Sequence, residues 1–364
     1  MEDYSVLPIG EAYNDMILRI MEESPINAKG LVLRFDKSPD VFALSRLKYS
    51  DNLHLGFFSG ESLKGVASLG FYDCLYNGEP EKIFTFHSFY ILPEARGNHL
   101  SARAMKEFIS IARQKARFGI AMTLKGNRAA EYYIRKHEDP DVPRSRIIDD
   151  LCIKSILFSF PRKNRTSYSV RNASLNDIPE IIRLLNNEHN MRFLGLRFSD
   201  ELFQENNKKR GVKISDYYVA EDRSGAVVGV CLAWDSTPFR RTTVLKISPG
   251  FYPLLYSYKV LENLTHMAPF PSQGGHFREL TITDYAVTGR KVEIMNALLS
   301  EIYYRNLNGK FHLMNFGSCM NDDLLKAVKG FWHFNTVSSI VFTSLDPGRF
   351  SIETKLPYID IAFL

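Results

Sequence analysis

Apolar and polar positions along this 364-residue chain follow two rhythms, and the switches between them mark out its elements. Short, β-branched and aromatic apolar runs predict strands at Leu31–Phe35, Leu53–Ser59, Leu63–Leu75 and Lys82–Leu92. Over Leu100–Phe118 apolar residues instead recur every three or four positions, which predicts an amphipathic helix. A short strand Ile120–Leu124, a helix Arg128–His137 and an apolar strand Leu151–Phe160 follow. Pro161–Ser167 is polar, charged and opened by proline, so it predicts a linker. Beyond it a strand pattern starts at Tyr168, and Ser174–Asn190 predicts a capped helix. Ser174 is its N-cap, Asp177 stands three residues on, and Ile178, Ile181, Ile182, Leu184 and Leu185 form its apolar face.

The same punctuation then returns. Strands are expected at Asp216–Ala220, Ala226–Trp234 and Arg278–Val287, with Glu221–Gly225 as a hairpin turn between the first two. A helix Val292–Tyr304, a strand Phe311–Phe316, a helix Asp322–Phe331 and strands Val337–Leu345 and Tyr358–Phe363 complete the pattern. The aromatic-rich stretch Phe251–Phe270 reads as a packing helix. Each side of the linker is a hairpin-rich sheet with its helices placed late. The expectation is an α/β chain with mixed α+β sheets, built as two copies of one fold over residues 1–160 and 168–364, joined by linker 161–167. The length agrees, since 364 residues exceed one ordinary core.

Composition changes this picture little. A hydrophobic share of 45% and a charged share of 24% are those of a globular protein. The net charge of +5 is mild and evenly spread: Lys+Arg stand against Asp+Glu as 24 to 21 up to residue 165 and 22 to 20 beyond it. That balance argues against nucleic acid as a partner and suits a small anionic ligand. Cys74, Cys152, Cys231 and Cys319 are far apart and form no CxxC pair, so neither a metal site nor a disulfide framework is expected. The acidic N-terminal stretch lacks the basic and apolar regions of a signal peptide, and no apolar run approaches the ~18 residues of a membrane span. A cytoplasmic location without a membrane is the expectation.

Phe84–Ser101, FTFHSFYILPEARGNHLS, is the most informative stretch. A strand ends at Pro93, an arginine and a glycine follow, and a helix begins at once. That order points the unpaired N–H groups of a helix N-terminus into the loop, where they favour an anion such as phosphate.

ILPEARGNHLSARAM resembles motif A of the GNAT-type N-acetyltransferase superfamily, in which Arg/Gln-x-x-Gly-x-Gly/Ala opens a long helix after an apolar strand. The resemblance implies that the loop amides bind the pyrophosphate of acetyl-CoA and that the preceding strand opens away from its neighbour to hold the pantetheine arm. It makes Ile91, Leu92, Arg96, Gly97, Asn98, His99, Leu100 and Ser101 the cofactor-binding residues, with acetyl-CoA as co-substrate and no metal. Arg96 takes the Arg/Gln place, while His99 and Ser101 stand where small residues are usual. Lys125–Lys136, KGNRAAEYYIRK, is similar to the family's motif B. Aligning Arg128 and Ala129 with the family's Arg-Ala pair puts Tyr133 at the tyrosine position; starting from Asn127 puts Ile134 there instead. In the second half, ITDYAVTGRKVEIMNALLSEIYYR keeps the strand, the Gly289-Arg290 pair and the helix, but has no complete motif A. The resemblance therefore places the working site in the first copy, with a degenerate second copy that walls the acceptor pocket or forms a homodimer.

Amine acylation dictates the residue types required. An alkyl amine has a pKa of about 10.4, so at pH 7 only about one molecule in a thousand is neutral and able to attack a thioester. A base must remove that proton, a donor must protonate the departing thiolate, and a backbone N–H must hold the oxyanion. Strict alternation puts Thr85, His87, Phe89 and Ile91 on one face of the strand and Phe84, Phe86, Ser88 and Tyr90 on the other. His87 is the titratable group in its middle and the candidate base, with Glu81 as the second choice; Tyr133 is the candidate thiolate donor. The expected acceptor is a small-molecule or peptide amine. Two other readings share the motif: a noncatalytic CoA-binding module, and an aminoacyl or carrier-dependent transferase.

Overall fold

The structure, a computed structural model, describes residues 4–28, 30–96, 100–127, 143–162, 166–265, 267–346 and 355–364. Before the linker the described elements run β1 (Tyr4–Ile9), α1 (Asn14–Glu22), β2 (Ile26–Ala28), β3 (Leu31–Asp36), α2 (Ala43–Lys48), β4 (Asp51–Ser59), β5 (Ser62–Tyr76), β6 (Glu79–Ile91), α3 (Leu100–Lys115), β7 (Phe118–Leu124) and β8 (Arg144–Leu157). After it come β9 (Ser169–Asn172), α4 (Ile178–Asn190), α5 (Asp200–Arg210), β10 (Tyr217–Glu221), β11 (Val227–Asp235), β12 (Arg241–Ile247), α6 (Tyr252–Leu264), β13 (His276–Phe277), β14 (Glu279–Val287), α7 (Val292–Arg305), β15 (Leu313–Cys319) and β16 (His333–Ser344).

The fold is mixed α/β. Twelve strands form one sheet in the order β1-β4-β5-β6-β7-β16-β8-β15-β14-β11-β10-β9, and a second sheet runs β13-β12-β3-β2. Most neighbours are antiparallel; β6–β7 and β14–β15 are the parallel pairs. The last strand of each half crosses over: β8 pairs with β15, and β16 lies between β7 and β8. The halves therefore share one sheet, and the second sheet ties β3 of the first to β12 of the second.

Helix periodicity explains the packing. In α3, Leu100, Ala104, Phe108 and Ala112 recur at i+4 and bury one stripe against Phe57, Leu69 and Phe84, while Arg103, Lys106, Glu107, Arg113 and Lys115 stay exposed. Truncating the buried Phe108 to alanine would cost about 3–5 kcal/mol. In α7, Met295, Leu298, Leu299 and Ile302 pack in the same way on Met314 and Phe316. A third cluster, with Ile83, Phe118, Ile120, Phe193, Ile340, Phe342 and Ile361, seals the centre where the halves meet.

Several expectations need correcting. Tyr358–Phe363 is no strand; it ends in a short 3-10 turn, Ile361–Phe363. Asp322–Phe331 holds a 3-10 helix over Asp323–Val328, not an α-helix. The stretch around Phe251–Phe270 does form a helix, α6, but none of its residues is buried and Tyr256 is 72% exposed, so it is not a packing helix. The predicted helix Arg128–His137 lies outside the described residues. Sequence patterning passed over α1, α2, α5, β1, β2, β12 and β13, which are short or strongly polar.

Strict alternation along β6 also fails. Val66 pairs with Tyr90 but Ser68 pairs with His87, so two residues of β6 oppose Ala67. Ser88 takes a left-handed backbone conformation there, with φ 50. This bulge turns Tyr90 to the side of Thr85 and His87, and leaves Phe89 with Phe57 on the α3 side.

Candidate active site

The bulge falls where the sheet parts. β6 pairs with β7 through Ile83–Phe118, Phe84–Gly119 and Thr85–Ile120 only. Beyond Thr85 the two strands diverge, and the β6 backbone facing β7 borders a cleft. The parting starts on a tight packing step, because a Cβ at Gly119 would lie 2.1 Å from the Phe84 ring. Phe89, 45% exposed, follows on the α3 side of β6, where its ring meets Phe57.

On the opposite side a cavity of about 290 Å³ opens beside His87. β6 supplies Thr85, Phe86, Ser88 and Tyr90, β7 supplies Met122 and Leu124, and α2 supplies Ser45 and Lys48. The second half contributes Arg240, Ser338 and Phe363, so that half walls this cavity directly.

Polar groups around His87 form one chain of hydrogen bonds. Lys37 Nζ donates to Ser88 Oγ at 3.2 Å, and Ser88 Oγ lies 3.1 Å from His87 Nδ1. His87 Nε2 lies 3.0 Å from Asn52 Oδ1, the Asn52 amide nitrogen 3.1 Å from His54 Nε2, and His54 Nδ1 2.7 Å from Ser68 Oγ. A charged Lys37 can only donate. With the amide placed as it is, every donor then meets an acceptor: the Ser88 hydroxyl donates to His87 Nδ1, and His87 Nε2–H donates to Asn52. Tyr49 stacks on the His87 ring at 4.7 Å.

Burial, followed by the charges of Lys37, His54 and Lys48, holds the pKa of His87 well below the ordinary value, so the ring is neutral at pH 7. Burial, then Lys37 and Arg46, lowers His54 to about 4. Burial and the neighbouring Arg240 pull Lys37 down to about 8. Lys48 also falls to about 8 by burial, against an upward pull from Asp360.

The other sequence candidates lie apart. Glu81 sits near the start of β6 in an ion pair with Arg117 and does not line the cavity. Arg96 is exposed just beyond β6, with Nε donating to the Ile91 carbonyl at 3.1 Å. Ile91 ends β6; Leu92 and Leu100 are buried, Leu92 against α1 and Leu100 in the core under α3. Ser101 lies in the first turn of α3. Tyr133, Gly97, Asn98 and His99 lie outside the described residues. Sequence reasoning did not single out Lys37, Ser88, Asn52 or Arg240, and no local pattern marks them.

Comparison places the architecture. The chain superposes on Saccharomyces cerevisiae N-myristoyltransferase with bound myristoyl-CoA at a TM-score of 0.61, with 11% identity over 94% of this chain and 79% of that one. A second structure of the yeast enzyme, with myristoyl-CoA and inhibitors, gives 0.62 at 11% identity over 94% and 80%. The fold is that of the GNAT-like acyl-CoA N-acyltransferases. A conserved protein from Enterococcus faecalis V583, a probable N-acyltransferase, matches at 0.50 with 12% identity over 94% of this chain and 73% of its own. No protein-family model matches the chain, and no curated protein matches its sequence.

Proposed function

We propose that the first half carries an N-acyltransferase site that moves an acyl group, acetyl first of all, from a CoA thioester to a primary amine in a ternary complex. The observation that carries this is the parting of β6 from β7 at the Ser88 bulge, with the His87 cavity beside it. Exposed Phe89 and the β6 backbone facing the cleft suit a pantetheine arm, and Arg96 at the cleft's end suits a pyrophosphate. The fold neighbours support acyl transfer; the choice of acetyl rests on the motif A resemblance. The second half, with no complete motif A and a different filling at its own parting, serves as the acceptor wall.

The CoA thioester supplies the activated carbonyl. The amine nitrogen bonds to that carbon, the C–S bond breaks, and the sulfur leaves with its electron pair and takes up a proton. The proton lost by the amine passes to Lys37 in its neutral form, while His87 and Ser88, hydrogen-bonded to each other, hold the lysine in place. His87 alone is a weak base here, because burial opposes its charge. Lys37, with a pKa of about 8, is the stronger base. About a tenth of it is neutral at pH 7, close to what general-base work asks for. Tyr133 remains our proposed donor to the departing thiolate.

Calorimetry with acetyl-CoA and myristoyl-CoA tests the cofactor, together with a thiol assay for CoA released in the presence of amines. Saturable binding of acetyl-CoA that Arg96→Glu weakens is expected. Failure of the intact protein to bind either thioester would sink the proposal.

A further inference from the structure

The His87 cavity carries more positive charge than transfer chemistry uses. Lys37, Lys48 and Arg240 line it; among the described residues no Asp or Glu side chain does, and Phe363 and Leu364 complete that wall. Lys37 is engaged by Ser88. The other two are not comparably engaged. Lys48 Nζ lies over the Tyr49 and Tyr72 rings at 5.4 and 5.2 Å, and the Arg240 guanidinium lies over Phe35 at 5.4 Å. Among the described residues neither cation has a hydrogen-bond or ion-pair partner. Asp360 attracts Lys48, but its carboxylate accepts from Thr283 at 2.7 Å and from the Ala362 amide at 3.0 Å, and lies 3.9 Å from Arg210.

The arrangement is built in. β3 and β12 pair antiparallel with Asp36 opposite Arg241, so Lys37 leaves one strand beside Arg240 entering the other. α2 brings Lys48 to the same cavity. Cations gathered in a partly dry cavity repel each other unless an anion joins them. A guanidinium and an ammonium together match a carboxylate, which offers two oxygens to a fork and a point charge.

We propose that the acceptor carries a carboxylate beside its amine, as an α-amino acid does, and that Lys48 and Arg240 hold that carboxylate. This rests on the N-acyltransferase proposal above, whose amine it specifies. A cavity of about 290 Å³ suits one amino acid rather than a folded partner. Its apolar walls, Phe35, Tyr49, Tyr90 and Met122, suit an aromatic or large aliphatic side chain. With the carboxylate held by Lys48 and Arg240, the amine is left for Lys37 and His87.

Calorimetry at pH 7 on the full chain with L-phenylalanine, L-phenylalaninamide, phenethylamine and O-phosphoethanolamine tests this. These probes keep the amine and change only what accompanies it. Phenylalanine is expected to bind at least about tenfold more tightly than its amide or phenethylamine, the size of one good charged contact. Arg240→Gln and Lys48→Met should each reduce that preference. Equal binding of acid and amide, binding of none of the probes, or a preference that survives both substitutions would overturn the proposal. So would tighter binding of O-phosphoethanolamine, which assigns the cations to a phosphate. Acyl-CoA titrated into the same samples reports separately on the transferase proposal: loss of thioester binding with the acid preference intact sinks that proposal alone.

Discussion

Two partings in one sheet end differently. In the first half β6 leaves β7 after three residue pairs, with a bulge at Ser88 of φ 50. In the second half β14 leaves β15 after Glu279–Leu313, Leu280–Met314 and Thr281–Asn315, with a bulge at Asp284 of φ 42. The register repeats as well: Gly65 opposes Ile91 and Gly229 opposes Val287, and each bulge follows one pair later. What fills the space is opposite. Beside β6 there are Phe89, 45% exposed, and the His87 cavity. Beside β14 the protein fills the space itself. Tyr285 donates to the Gly317 carbonyl at 3.2 Å, Ile361 packs on Gly317, and Thr283 donates to Asp360. Buried Arg192 bridges Glu188 and Asp322 at 2.8 Å each, and Arg290 turns inward to the same two acids. The same backbone device can frame a ligand or a plug, and the residues beyond the bulge decide which.

The largest test of that contrast is Arg192→Leu. It leaves buried carboxylates short of a partner and should lower stability by about 3–5 kcal/mol in urea unfolding. If it costs less than about 1 kcal/mol, the ion cluster is not what holds the second parting closed. His87→Leu acts beside the first parting and should do the reverse. Turnover should fall on the order of a hundredfold. The loss of stability should stay smaller than for Arg192→Leu, about 1–3 kcal/mol, because neutral partners, Asn52 and Ser88, are left unpaired rather than buried carboxylates. A large loss of stability with unchanged turnover would make His87 a packing residue.

Acid separates the clusters more finely. Burial alone would raise the pKa of Asp322, but Arg192, Ser318 and Arg290 bring it down to about 2. A depressed carboxylate stabilises the folded state above its unfolded pKa and loses that contribution as pH falls through the folded one. Asp322 should therefore contribute about 2 kcal/mol at neutral pH, lost from about pH 4 towards 2. The slope of stability against pH in that window should flatten in Asp322→Asn. The histidines act in both halves alike. Burial lowers His54 to about 4 and His189 to about 3, so each withdraws stability as pH falls below 6.5.

Two smaller effects concern the loops and the base. Arg96→Glu should weaken acetyl-CoA about tenfold or more by calorimetry, whereas Arg290→Gln should leave that affinity unchanged, since Arg290 faces its own acids. Equal effects would erase the assignment of one working loop. Plotted against pH, kcat/KM should rise through an inflection near 8, where Lys37 loses its proton, and show none near 6.5. Lys37→Met should remove the inflection near 8.

Much of this was legible in sequence where the signal is local. The strand, proline, arginine and helix of Phe84–Phe118 stand out because the apolar period changes within a few residues, and β6 and α3 lie where that change predicts. His87 stands in the middle of that strand, as the pattern predicts. The face it shares was misassigned, because a bulge adds a residue without leaving a mark in the pattern. Lys48 escaped because α2 is six residues long, too short for periodicity to register. Lys37 and Arg240 escaped because their meeting depends on β3 pairing with β12, over two hundred residues away in sequence.

By itself, then, the sequence determined most of the strands and long helices, the mixed α/β class and the strand-to-helix order around His87, since each is written in the spacing of neighbouring residues. The tertiary structure alone decided the exchange of β8 and β16, the turn of β6 at Ser88, the gathering of Lys37, Lys48 and Arg240, and which parting stays open. Those outcomes depend on strand pairing and on competition for buried space between distant segments, which neighbouring residues do not encode.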